Sequence, residues 1–129
     1  RTTHRRYVEE RFAPLIRDGR IHVHEGLSWE VLASFDDATF DLVYIDADHS
    51  YPAVRHHLEA ALSKVKPDGC IALNDYLCFD HLAMAEVGTV AAVNEACHAH
   101  GLRIALLALQ QLMFCDVVLR RRDAPGRGA

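Results

Sequence analysis

The chain predicts an α/β domain: a Rossmann-like, mostly parallel sheet with helices on both faces and a C-terminal antiparallel hairpin. Three observations carry this. Two short apolar runs, Phe40 to Ile45 (FDLVYI) and Cys70 to Leu73 (CIAL), end abruptly in polar residues, as parallel strands buried on both faces do. Segments with apolar residues at helical spacing alternate with them. Two more apolar segments, Arg103 to Leu109 and Leu112 to Leu119, are separated only by Gln110 and Gln111, a connection so short that the strands must run antiparallel.

Taken in order, Thr3 to Asp18 places Tyr7, Val8, Phe12, Leu15 and Ile16 on one helical stripe, interrupted by Pro14 and stopped by Gly19. Ile21 to Glu25 alternates apolar and polar residues and predicts a short strand ending at Gly26. Ser28 is the expected N-cap of a short helix through Trp29, Val31 and Leu32. After the FDLVYI strand, Ser50 caps a helix with Pro52 in its first turn and Val54, Leu58, Ala61, Leu62 and Val65 facing the core. Lys66 to Gly69 is expected to turn the chain into CIAL. Leu77 to Glu86 reads as a loop, and Gly88 to His100 as a helix with Val90, Val93 and Cys97 inward and Gly101 closing it. The domain is expected to span residues 1–122, with a flexible tail over 123–129.

Composition narrows the function. The 129 residues are 50% hydrophobic and 25% charged, the balance of one globular domain. A formal net charge of -4 leaves no basic footprint for nucleic acid. No apolar run approaches the roughly 18 residues of a membrane helix, so no membrane partner is expected. Four cysteines without CxxC spacing read as reduced thiols and point to a cytoplasmic location. The first residue is Arg1 rather than Met, which reads as a piece of a longer chain.

In open α/β sheets, ligands bind at the carboxyl ends of the strands. Those ends carry Glu25 to Ser28, Asp46 to His49, and Asn74 to Tyr76. Asp46 and Asp75, on neighbouring strands about 4.8 Å apart, suit a hard divalent cation with oxygen ligands. Asp48 reads better as a turn former. His49 leaves the strand three residues after Asp46 and is placed to act as a general base. The pairs His22/His24, His56/His57 and His98/His100 lack the four-ligand spacing of zinc sites. Trp29 reads as packing rather than as a stacking platform.

The run FDLVYIDADHSYPAVRHHLEAALSKVKPDGCIALNDY, with the helix GTVAAVNEACHAHG, resembles the C-terminal half of class I S-adenosylmethionine-dependent methyltransferases, nearest the metal-dependent small-molecule O-methyltransferases. The resemblance covers about residues 5–121. It implies that Asp46, Asn74 and Asp75 bind magnesium, that His49 deprotonates the acceptor hydroxyl, and that Gly26, Leu27 and Ser28, with Asp46, contact S-adenosylmethionine. The family's glycine-rich first loop, and the acidic residue after its second strand, have no counterpart. The only glycines before Asp46 are Gly19 and Gly26. A strand-helix-strand unit of roughly 40 to 60 residues, containing the first two strands, is therefore lacking. The sheet edge this leaves predicts a homo-oligomer, or a missing N-terminal half supplied from elsewhere.

Two other readings compete with methyl transfer to a small-molecule hydroxyl. A receiver-type phosphoacceptor module needs an acidic pair after an earlier strand and a Lys after a later one, and neither is present. A non-catalytic domain keeping the fold for dimerisation or scaffolding is a third reading, which cofactor binding by the isolated chain separates from the first.

Overall fold

The computed structural model describes residues 4–122. The expected tail, residues 123–129, lies outside them. Helices α1 (His4–Arg11) and α2 (Ala13–Arg17) are split at Phe12, where Pro14 enters the first turn of α2. Neither buries a residue. Gly19 ends them with a φ of 68°, in the left-handed region that glycine enters without cost.

The strand expected at Ile21 to Glu25 does not form: residues 21–25 join no sheet, and the Ile21 amide donates to the Leu15 carbonyl instead. An alternating pattern supplies side-chain facing but not a partner for the backbone, and the strands that would flank this one in the resemblance are absent from the sequence. Helix α3 (Ser28–Ala33) follows, with Leu27 rather than Ser28 in the capping position. The Ser28 hydroxyl lies instead 2.6 Å from His57 Nε2.

Strands β1 (Phe40–Ile45), β2 (Val65–Leu73), β5 (Leu102–Leu109) and β6 (Cys115–Arg121) form one sheet in the order β1-β2-β6-β5. β1 and β2 are parallel, while β6 is antiparallel to both β2 and β5, so three of the four strands point the same way. The predicted turn at Lys66 to Gly69 is instead a bulge inside β2: Phe40 pairs with Val65 and Leu42 with Cys70. The predicted loop at Leu77 to Glu86 contains a small hairpin, β3 (Phe79–Asp80) with β4 (Ala85–Glu86). The closing hairpin turns through a 3-10 segment, Gln111–Met113, where Leu112 and Met113 take φ of 59° and 66°.

One core holds the domain. Helix α4 (Tyr51–Lys64) buries Val54, His57, Leu58 and Ala61, and α5 (Thr89–Ala99) buries Thr89, Ala92, Val93 and Ala96. They meet Ile45, Ile71, Leu73, Val117 and Leu119 of the sheet in a single apolar cluster. The inward stripe of α5 is thus offset from the one expected, leaving Val90 and Cys97 half-buried. Among the described residues, the helices joined to this cluster cover one face of the sheet. The other face leaves Leu42, Tyr44 and Leu106 exposed. Helices on that second face would come from the unit the sequence lacks.

Candidate active site at the carboxyl ends of β1 and β2

Register decides which polar residues meet. Ile45 pairs with Leu73 and Leu73 with Val117, so Asp46, Asn74 and Asp116 lie side by side at one end of the sheet. Alternation then turns Tyr44 to the same face as all three. The contacts follow: the Tyr44 hydroxyl donates to Asp116 Oδ2 at 3.1 Å and lies 3.4 Å from Asn74 Oδ1, and Asn74 Nδ2 lies 3.4 Å from Asp46 Oδ1. Partial desolvation, reinforced by the Asp116 carboxylate, pushes the Tyr44 phenol up to about 12, so it remains a donor.

Asp75 departs from the alternation with a φ of 52°. That left-handed turn aims its carboxylate at His49, whose Nε2 sits 3.8 Å from both Asp46 Oδ1 and Asp75 Oδ2. The same Nε2 is buried and has no hydrogen-bond partner. Burial raises the Asp75 pKa, and the carboxylates of Asp46, Asp80 and Asp116 push the same way against the lowering effect of His49. The backbone around His49 is pinned from outside: the Gly88 amide donates to the His49 carbonyl at 2.8 Å. A Cβ on Gly88 would lie 2.2 Å from the Tyr51 amide nitrogen, so only glycine permits this approach. Asp48 is a turn former, as its sequence context suggests, accepting from the Ser50 amide at 2.7 Å.

The residues expected to hold magnesium gather at the same strand ends: Asn74 Nδ2 lies 3.4 Å from Asp46 Oδ1, and Asp46 and Asp75 both lie 3.8 Å from His49 Nε2. Among the described residues no group of three or more His, Cys, Asp or Glu side chains is placed to hold a metal ion.

Beside this cluster lies a cleft of about 310 Å³, lined by His24, Gly26, Ser28, Tyr44, Asp46 and His57 among others. It brings together Gly26, Ser28 and Asp46 of the predicted cofactor residues. Leu27 is half exposed and does not line it. Gly26 has a φ of 147°, and a Cβ there would press on Val31 at 3.2 Å. Three residues that sequence reasoning missed belong to this region. Tyr44 and Asp116 depend on a register that no single segment encodes. His57 was detectable, because it falls with Val54, Leu58 and Ala61 on the buried stripe of α4. Trp29 packs edge-on against the His57 ring with centroids 5.3 Å apart, so its packing role holds.

Residues 2–76 match the family described as methyltransferase domain. Among solved structures, the chain is similar to a candidate O-methyltransferase from Klebsiella pneumoniae, with 21% identity over 93% of this chain and 58% of that one, and a TM-score of 0.67. It is also similar to a protein from Corynebacterium glutamicum (18% identity, 92% of this chain and 58% of that one, TM-score 0.58). A third is a protein from Pyrococcus horikoshii OT3 (11% identity, 93% of this chain and 68% of that one, TM-score 0.59). These likenesses establish a shared fold, and the chain spans 58% of the first two proteins' length. No curated protein matches the sequence.

Proposed function

This chain belongs to the methyltransferase-domain family, and from that premise we propose that its cleft takes S-adenosylmethionine and serves methyl transfer to a hydroxyl of a small molecule. The observation that carries the reading is that Asp46, which lines that cleft, lies 3.8 Å from an unpartnered His49 Nε2 that Asp75 also approaches. The cleft residues suit the cofactor: Gly26 and Ser28 line one part of it, and Asp46 closes the strand end. Bound there, S-adenosylmethionine supplies a sulfonium methyl group open to in-line attack by an oxygen nucleophile.

His49 takes the acceptor's proton at Nε2, and Asp46 and Asp75 stabilise the imidazolium that results. Asp75, desolvated and crowded by other carboxylates, gains most from that positive charge. Tyr44, held by Asp116, orients Asn74 and with it the Asp46 carboxylate. No step is assigned to a metal. A homo-oligomer, or the supply of the lacking unit from elsewhere, belongs to the same proposal, motivated by the free edge of β1. So does a cytoplasmic location, motivated by four cysteines that form no disulfide. Among the described residues no helix is long and apolar enough to cross a membrane.

The deciding experiment is calorimetric titration of S-adenosylhomocysteine into the chain, with magnesium and with EDTA, beside its mass in solution. Saturable binding that is the same in both buffers is the expected result. Absence of binding in both would remove the cofactor reading and leave the non-catalytic alternative.

A further inference from the structure

The bulge in β2 shapes the end of the sheet opposite the cleft. Residues 66–69 leave the ladder between Val65 and Cys70, and Gly69 permits the close approach, since a Cβ there would lie 2.7 Å from the Asp41 carbonyl oxygen. The Asp68 carbonyl is thereby turned to Arg120, whose Nη2 donates to it at 2.6 Å. Arg121 Nη2 donates at 2.7 Å to the Leu62 carbonyl, in the last turn of α4. These bonds hold two guanidinium groups in place without neutralising them: among the described residues neither forms an ion pair. Register adds a third. Arg103 of β5 pairs with Arg120 of β6, so two like charges stand directly opposite on one face of the sheet, an arrangement that costs stability. Among the described residues Arg103 makes no hydrogen bond or ion pair.

These three side chains, with Pro67 and Asp68, line a cavity of about 280 Å³. Asp68 supplies the one carboxylate among the five, so three positive charges against one leave two. We propose that this cavity binds a phosphate group as its dianion, free or as the monoester of a small molecule. A dianion matches the residual charge, and tetrahedral phosphate offers oxygens to more than one guanidinium fork. Arg103 gains the partner that the fold does not give it, and the anion offsets the repulsion between Arg103 and Arg120. The side chains are exposed, so the affinity falls as salt is added. The cavity stands about one strand length, roughly 20 Å, from Asp46 and His49, and is independent of what the cleft takes.

The test is calorimetric titration of the chain with inorganic phosphate and with glycerol 3-phosphate, at pH 8 where both are dianions and at constant ionic strength, with melting temperatures beside it. Arg103→Gln removes a side chain that bonds nothing, and Arg55→Gln removes a positive charge on α4 outside the cavity. Saturable one-to-one binding is expected, weakened about tenfold by Arg103→Gln and less than about twofold by Arg55→Gln. Phosphate should raise the melting temperature of the unchanged chain but not that of Arg103→Gln. Tighter binding of the ester would assign the cavity to a phosphorylated small molecule, and equal or weaker binding of the ester would assign it to free phosphate. No saturable binding of either compound, or equal weakening by both substitutions, would overturn the proposal.

Discussion

At the carboxyl ends of β1 and β2, Asp46, His49 and Asn74 ride on paired strands and on a backbone bond from Gly88. Across the cleft, Gly26 and Leu27 close a segment, residues 21–27, that no strand supports and that follows two helices without a buried residue. The groups proposed for proton transfer are therefore preorganised by the core. The groups proposed for cofactor contact sit on a rim whose conformation the core does not enforce. Substitutions at the first region should change turnover or global stability, and those at the second should change mainly affinity.

The largest effect expected is on chemistry. His49→Asn keeps the polar side chain but lacks a base, and should lower kcat by about 100-fold or more with KM and the circular-dichroism spectrum nearly unchanged. An equal rise in KM instead would place His49 among the binding groups and dissolve the contrast between the two regions. Next is Gly88→Ala, whose Cβ meets the Tyr51 backbone. It should cost about 3 kcal/mol in urea denaturation, because backbone on both sides must move.

A matched pair of truncations sharpens the comparison in stability alone. Leu58→Ala, at a site 1% exposed, should cost about 3 kcal/mol, while Val23→Ala, 39% exposed in the unpaired segment, should cost under about 0.5 kcal/mol. Similar losses at both sites would show that residues 21–25 are bound to the core more firmly than their exposure implies. The smallest effect is electrostatic. Burial raises the Asp75 pKa in the folded chain, so the native state takes up its proton before the unfolded state does and loses stability as pH rises past the ordinary carboxylate range. Asp75→Asn should therefore raise the melting temperature at pH 7, with the gain disappearing near pH 3. Asn tolerates the left-handed backbone at this position, so the substitution tests charge rather than strain.

Much of the fold was legible because it depends on local periodicity. FDLVYI and CIAL became β1 and part of β2, the stripe Val54, Leu58, Ala61 became the inner face of α4, and the two closing segments became the β5–β6 hairpin. His49 and Asp46 were identified as residues leaving a buried strand, and the structure brings them together. Ile21 to Glu25 misled for the converse reason: alternation reports which way side chains face, while a strand also requires another strand to receive its hydrogen bonds.

By itself, then, the sequence determined the class of fold, the order of its elements, and the chemical character of the strand ends, all of which follow from patterns within about ten residues. Only the tertiary structure decided that β6 lies beside β2, which sets Asp116 against Tyr44. It also decided that the left-handed Asp75 faces His49, that His49 Nε2 comes within 3.8 Å of both carboxylates, and that Ser28 meets His57 from 29 residues away. Each is a contact between segments distant along the chain. The register of the sheet and the packing of α3 on α4 are settled by burial of the whole core, so no single segment encodes them.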